Sequence, residues 1–176
     1  MDQYITHIEQ NENQEAQSLF ERVLAIQKRN FGDEHPAVAM VMSNLAMLHF
    51  FQGQHAESQA MHASALKINE ATMGPDHPEL AYSLVGLAEA AIAREHFAEA
   101  LPFAERAVAL RSAGNSTPGE YAVARFGLAR ALWGSGGDKA RALSLAEQAR
   151  AGFEEDGDTE LLKQVDEWLK SRKQVE

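Results

Sequence analysis

The feature that most constrains the fold of this chain is a seven-residue segment, here called the repeated phrase, that occurs twice in similar form. GDEHPAV at residues 32–38 returns as GPDHPEL at residues 74–80, so that Gly32 and Gly74 lie 42 residues apart. The same shift aligns Asn44-Leu45-Ala46 with residues 86–88, and it aligns residues 98–101 with residues 140–143. Several blocks in one register are the signature of an internal repeat, so the sequence predicts an array of similar units.

Each unit is predicted to contain two helices. Apolar residues at helical spacing indicate a first helix over residues 36–51 and, after the break at Gln52-Gly53-Gln54, a second helix over residues 55–72. The later units repeat this pattern over residues 78–94 and 97–112, then 120–133 and 139–154. A helix over residues 14–30 precedes them. A last helix over residues 158–172 is apolar on one face only, which is typical of a capping helix.

The repeated phrase has the chemistry of a helix boundary. Gly74 can adopt the positive φ that ends a helix, and Pro78 has the φ of a first helical turn. The acidic residues of the phrase are placed where the positive end of a helix dipole favours them. His35 and His77 occupy the same place in two linkers and are therefore predicted to start helices, although each could also serve as a ligand or a base.

These helix pairs resemble the tetratricopeptide repeat. They have Leu-Ala in the first helix, glycine near the bend and small residues in the second helix, while the 42-residue spacing and the linker phrase are similar to the kinesin-light-chain type. The matching small positions are Ala46, Ala88 and Ala129, then Ala16, Ser58, Ala100 and Ala142, then Ala65, Ala107 and Ala149. The resemblance implies an all-α, right-handed α-α solenoid (superhelix) with a C-terminal capping helix. The chain departs from the family at Ser58, at His62 and in its third linker.

The resemblance also implies the domain organisation. One solenoid domain over residues 1–176 would contain a truncated repeat (1–30), three repeats (31–72, 73–114 and 115–156) and the capping helix (157–176). Backward alignment places Asn11-Glu12-Asn13 at a bend, so that residues 1–10 would be the end of a first helix. On this basis we expect the chain to be a fragment or the tail of a longer array.

Composition excludes several classes of protein. There is no cysteine, and the formal net charge is −10. Disulfides and thiolate metal sites are therefore excluded, and binding to nucleic acid or to an anionic membrane is disfavoured. The sequence shows neither a signal peptide nor an apolar run long enough to span a bilayer. We expect a cytoplasmic protein.

The sequence contains no convincing constellation for catalysis or for binding a metal or a cofactor. His55 and His62 lie seven residues apart, with His49 nearby, but a metal site needs three or four converging ligands. The glycine-rich run over residues 134–138 joins two helices and lacks the spacing of a phosphate-binding loop. We therefore predict a non-enzymatic protein. A hydrolase or metalloenzyme would have to show activity or bound metal.

The family resemblance places a binding site on the concave face, which the first helices line. Positions carried over from the family point to the following residues: Ser43, Asn44, Met47, Phe50, Phe51, Val85, Glu89, Ile92, Phe126, Arg130 and Trp133. Asn44 matches an asparagine that the family often uses near bound peptide backbone. Its counterparts, Gly86 and Gly127, lack the amide.

The first complete helix favours a partner of apolar character. The segment AVAMVMSNLAMLHFF is apolar almost all round, which is unusual unless nearly every face is covered. One interpretation is that these residues fill the core between repeats. The other is a groove for a peptide or helix of a partner protein, with Asn44, Glu89 and Arg130 fixing its register. An alternative is a structural role, either a homodimer through this apolar surface or the regulatory tail of a larger protein.

Overall fold

A computed structural model shows a helical chain, described here for residues 2–114 and 116–173. These residues form eight helices and no strand, which confirms the predicted all-α class. The helices are α1 (Asp2–Phe31), α2 (Pro36–Phe51), α3 (His55–Met73), α4 (Leu80–Ala93), α5 (Phe97–Ala113), α6 (Pro118–Gly134), α7 (Lys139–Asp156) and α8 (Thr159–Lys173). Met1, Asn115 and residues 174–176, which the predicted repeat boundaries include, lie outside the described residues.

The helices form two compact units, Met1–Pro75 and Asp76–Glu176. In the N-terminal unit, α2 packs against both α1 and α3. In the C-terminal unit, α5 packs against α4 and α6, while α6 also contacts α4 and α7, and α8 packs on α7. The boundary between the units falls inside the second copy of the repeated phrase. The boundaries of the individual repeats remain a prediction.

The histidine of the first copy caps a helix. The Nδ1 atom of His35 accepts a hydrogen bond from the backbone N–H of Ala37 over 3.1 Å, and Pro36 begins α2. This imidazole thereby satisfies a backbone donor that the first turn leaves without a helical partner. At the second copy, Nδ1 of His77 accepts from the N–H of Glu79 over 3.3 Å, but α4 begins only at Leu80, so this bond lies in the turn ahead of the helix. The predicted role at a helix start is therefore confirmed for His35, whereas His77 belongs to the preceding turn.

The third linker keeps this arrangement with different residues. Thr117 accepts from the N–H of Glu120 over 3.2 Å, the Glu120 carboxylate accepts from the N–H of Thr117 over 3.0 Å, and Pro118 follows as the first helical residue. This reciprocal pair is a capping box. In each of the three linkers, a proline directly follows a residue whose side chain accepts a hydrogen bond from the backbone ahead of it, although the third linker has lost the histidine.

Close packing of the helices depends on small side chains. Of the positions that the family resemblance predicts to be small, all except Ala16 are buried. Small residues let helix axes approach so that larger neighbours interlock around them. In the C-terminal unit all of these alanines except Ala107 join one hydrophobic cluster, together with Leu128 and Phe153 from α6 and α7.

The predicted bend at Asn11-Glu12-Asn13 is wrong, because α1 runs without interruption from Asp2 to Phe31. The bend after α2 contains Gly53 at a φ of +75°, and the bend after α6 contains Gly136 at +74°. Residues 11–13 include neither glycine nor proline, so nothing in them opposes the continuation of a helix.

The last helix packs as the sequence predicts. Val165 and Leu169 of α8 are buried, whereas Leu161, Leu162 and Trp168 are half-buried. On the outer side, Asp166 accepts a hydrogen bond from Arg150 of α7 over 2.6 Å, and this pairing raises the pKa of Arg150 above its ordinary value. One apolar face and one charged face make α8 a cap on the C-terminal unit.

Candidate functional site

The outer face of α2 carries large apolar side chains in contact with solvent. Met40, Met47 and Phe51 are 59%, 43% and 72% exposed, respectively. Their spacings of seven and four residues place them on one side of the helix. Asn44, half-buried, falls on the same side between the two methionines. We call Met40, Asn44, Met47 and Phe51 the α2 stripe.

Two further residues predicted on this helix are less accessible. Ser43 is buried. Phe50 is half-buried and packs toward the bend, where its ring centroid lies 5.0 Å from that of His55 and 6.0 Å from that of Phe51. The bend itself is fixed by a contact between His49 Nδ1 and the Gln54 amide oxygen. Phe50 therefore supports Phe51 from the side.

In the C-terminal unit, two of the predicted residues bind each other. Arg130 of α6 donates to the Glu89 carboxylate of α4 over 2.7 Å, and both side chains are largely buried. The Arg130 guanidinium also lies 5.5 Å from the centre of the Phe126 ring. These two charges join neighbouring first helices, so a partner that used them would have to break or extend this pair.

The glycine that replaces the family asparagine on α6 has a packing reason. A Cβ atom at Gly127 would lie 3.3 Å from Glu89 Oε1, which is closer than ordinary van der Waals contact. Any longer side chain would push against the carboxylate that pairs with Arg130. The amide of Asn44 therefore has no equivalent on α6.

The aromatic residues predicted on α6 lie beneath α8. The Trp168 ring of α8 contacts Phe126 and Trp133 edge-on, with centroid distances of 5.9 and 5.7 Å. Arg172 of α8 lies over the rings of Trp133 and Trp168, and Lys139 lies over Trp133. Phe126 is buried and Trp133 is half-buried as a result. Sequence analysis predicted the cap but did not predict that it would cover these two residues.

The remaining predicted residues lie on α4. Ile92 is buried in the hydrophobic cluster, and Val85 is half-buried. The structure thus separates the predicted residues into an exposed group on α2 and a group in the C-terminal unit that is largely engaged in internal packing. The role of both groups in binding a partner stays a prediction.

Sequence analysis missed one cavity. An open pocket of about 370 Å³ lies between the start of α6 and the second half of α7. Thr117, Tyr121, Arg125, Gln148 and Glu155 contribute to its wall, and the Arg125 guanidinium lies 3.5 Å from the centre of the Tyr121 ring. A cation and an anion both line it, so its charge selects no ligand class.

Among the side chains that the structure describes, those of residues 14–114 and 116–172, no group of three or more histidine, aspartate or glutamate residues could hold a metal ion. None of the helices described is both long enough and apolar enough to cross a membrane.

Comparison with solved structures shows what the chain resembles. It superimposes on BtubC (BKLC) from P. vanneervenii with a TM-score of 0.73 at 20% identity, over 84% of this chain and 59% of that one. A kinesin-light-chain-like protein of Podosopora anserina with nearly identical TPR-like repeats gives a TM-score of 0.61 at 29% identity, covering 81% of this chain and 68% of that one. Its Q17M form gives 0.63 at 27% identity, covering 87% and 72%. This chain therefore spans less than two thirds of the length of BtubC.

Sequence comparison gives the family directly. Residues 5–71 and 38–113 match the tetratricopeptide repeat in two overlapping segments. No curated protein sequence matches the chain significantly. Such repeats generally mediate protein–protein interaction and form non-catalytic scaffolds. With its helix pairs, its capping helix and these likenesses, the chain belongs to the tetratricopeptide repeat family, and its repeats are of the kinesin-light-chain type.

Proposed function

We propose that this chain is a non-catalytic protein-interaction module that binds an extended or helical segment of a partner protein on its first-helix face, with the α2 stripe as the main contact. The observation that carries the proposal is the exposure of Met40, Met47 and Phe51 on one side of one helix. Exposed apolar surface costs free energy in water, and a contiguous patch of it is typical of a binding site.

The composition of the stripe indicates the chemistry of the partner. Methionine side chains are flexible and polarisable, so they adapt to apolar side chains of different shapes. The amide of Asn44 can both donate to and accept from a peptide backbone. The chain carries a formal net charge of −10, which favours a neutral or basic partner over an acidic one. The expected partner segment is therefore apolar, with basic flanks.

Selection from a displayed library of random peptides tests this proposal. We expect the wild-type chain to enrich peptides with spaced apolar residues, and Phe51→Glu or Met47→Glu to lose those peptides, because a carboxylate in the contact would have to be desolvated. Met73→Glu is the matched control, since Met73 is 38% exposed in the same unit but lies at the end of α3. Enrichment that is equal on wild type and on Phe51→Glu would contradict the proposal.

Self-association through the α2 stripe is the second candidate, because the same exposed Phe51 would suit a second copy of the chain. Light scattering separates the two. If the stripe binds a partner, Phe51→Glu leaves the mass in solution unchanged. If it binds a second copy, the wild-type chain forms a dimer that Phe51→Glu dissolves.

A further inference from the structure

A second apolar surface lies on α1. Leu19, Val23 and Ile26 are 59%, 39% and 56% exposed, at spacings of four and three residues that place them on one side of the helix. The adjacent side, with Ala16, Phe20 and Leu24, is less exposed, and α1 also contacts α2 through the hydrogen bond from Gln52 to Gln17. We call Leu19, Val23 and Ile26 the α1 stripe.

The repeat shows what normally covers such a stripe. A shift of 42 residues maps it onto Met61, Ala65 and Ile68 of α3. There Ala65 is fully buried and the other two are half-buried, in a helix on which α2 packs. Among the helices that the structure describes, α2 packs on α1 as well, yet it leaves the α1 stripe exposed. The occupant that fits is an α-helix running antiparallel to α1, as α2 runs antiparallel to α3.

Charge along α1 favours a second α1 as that helix. With Leu19 of one copy opposite Ile26 of the other, residues 14–23 of each copy lie opposite residues 22–31 of its partner copy. The first segment contains Glu15 and Glu21, and the second contains three basic residues and no acid, so an antiparallel pair places opposite charges near each other. A parallel pair would place like charges together.

We propose that the α1 stripe is a self-association surface that receives α1 of a second copy in antiparallel orientation. With the twofold axis near Val23, Leu19 of one copy lies opposite Ile26 of the other, and Glu15 lies within about one turn of Arg29 of the other copy. Arg22 of each copy comes near the axis, where the two cations repel each other. Three apolar residues per copy make a small interface, so the dimer is weak and depends on concentration.

Sedimentation of the 176-residue chain over a concentration series up to the millimolar range tests the surface. We expect wild type to pass from monomer to dimer, and Leu19→Glu with Ile26→Glu to weaken association at least about tenfold, because buried carboxylates replace apolar contacts. Both side chains are exposed in the monomer, so circular dichroism should show unchanged helix content. Phe51→Glu should leave the dimer intact, which distinguishes this surface from the α2 stripe.

Charge reversal tests the orientation. Arg29→Glu and Glu15→Arg should each weaken the dimer, the double variant should restore it, and Arg22→Ala should strengthen it. If the double variant is additively weaker than either single change, the antiparallel arrangement is wrong.

The absence of cysteine from the chain allows a direct test of the axis. Val23→Cys should form a disulfide between copies under mild oxidation, faster than Met73→Cys, which is equally exposed but lies outside the interface. A monomer at every concentration, a dimer that Phe51→Glu dissolves, or equal rates for the two cysteines would each overturn the proposal.

Discussion

One position at the end of the first helices is exposed to solvent in the N-terminal unit and closed off in the C-terminal unit. In the N-terminal unit, Phe51 ends α2 with most of its ring in water. In the C-terminal unit, the equivalent residue at the end of α6 is Gly134, and a Cβ atom there would lie only 2.3 Å from the Phe97 ring. Phe97 of α5 thus occupies the space that a larger residue at position 134 would need, and the end of α6 is closed by the protein's own side chain.

The two units also differ in the residues that their second helices bury. At two equivalent positions of the second helices, the C-terminal unit has Ala100 and Ala104, whereas the N-terminal unit has Ser58 and His62, both buried. Both units bury an apolar core. The C-terminal unit also covers Phe126 and Trp133 with α8, whereas the N-terminal unit leaves Phe51 exposed and buries Ser58 and His62. The unit with the more exposed apolar surface is expected to be the less stable of the two.

The largest expected effect concerns the covering helix. Trp168→Ala should lower the free energy of unfolding by about 3 kcal/mol, because it removes the ring that packs on Phe126 and Trp133. Phe51→Ala should change it by less than about 0.5 kcal/mol, because that ring contributes little to internal packing. Urea denaturation of the two variants measures both values. If Phe51→Ala lowered the free energy of unfolding as much as Trp168→Ala, the predicted contrast between the exposed α2 stripe and the aromatic residues beneath α8 would be wrong.

The next effect concerns pH and the buried histidine. Burial lowers the pKa of His62 from 6.5 to about 4, so the unfolded chain binds more protons than the folded chain between these values. Stability should therefore fall as the pH decreases from 6.5 to about 4, by up to about 3 kcal/mol, with no further loss from this group below that range.

The replacement His62→Phe should flatten this dependence, since it fills a similar volume without a titrating group. The quantity to compare is the difference in free energy of unfolding between the two proteins at each pH, because the two proteins share all their other titratable groups. Parallel curves would show that His62 is not the group responsible.

The smallest effect concerns the bend between α4 and α5. Glu95 has a φ of +59°, and it is the only residue other than glycine with a positive φ in the part of the chain that the structure describes. Its equivalent in the N-terminal unit is Gly53. Glu95→Gly should stabilise the protein by about 1 kcal/mol, because glycine adopts this conformation without strain. Gly53→Glu is the reciprocal variant and should destabilise by a similar amount, as measured by thermal unfolding.

Much of the fold could be predicted from the sequence. The period of 42 residues, with proline after each linker and glycine at two of the bends, placed α2 without error and most other helix ends within about two residues. The backward alignment assigned a bend to residues 11–13, which contain no residue that breaks a helix, and that prediction was wrong. For the candidate site, the sequence pointed to α2, whose apolar side chains are exposed in the structure, but it could not show that Glu89 and Arg130 pair with each other.

The sequence by itself determined where most helices begin and end. Helix periodicity, capping residues and small packing positions all act between residues that are close together in the sequence. Only the tertiary structure decided which predicted surface is open. Trp133 is covered because Trp168 of α8 reaches it, and Phe97 of α5 fills the space beside Gly134, whereas Phe51 at the equivalent position of α2 is exposed. The burial of a side chain depends on which residues of other helices pack against it, and a local sequence pattern does not contain that information.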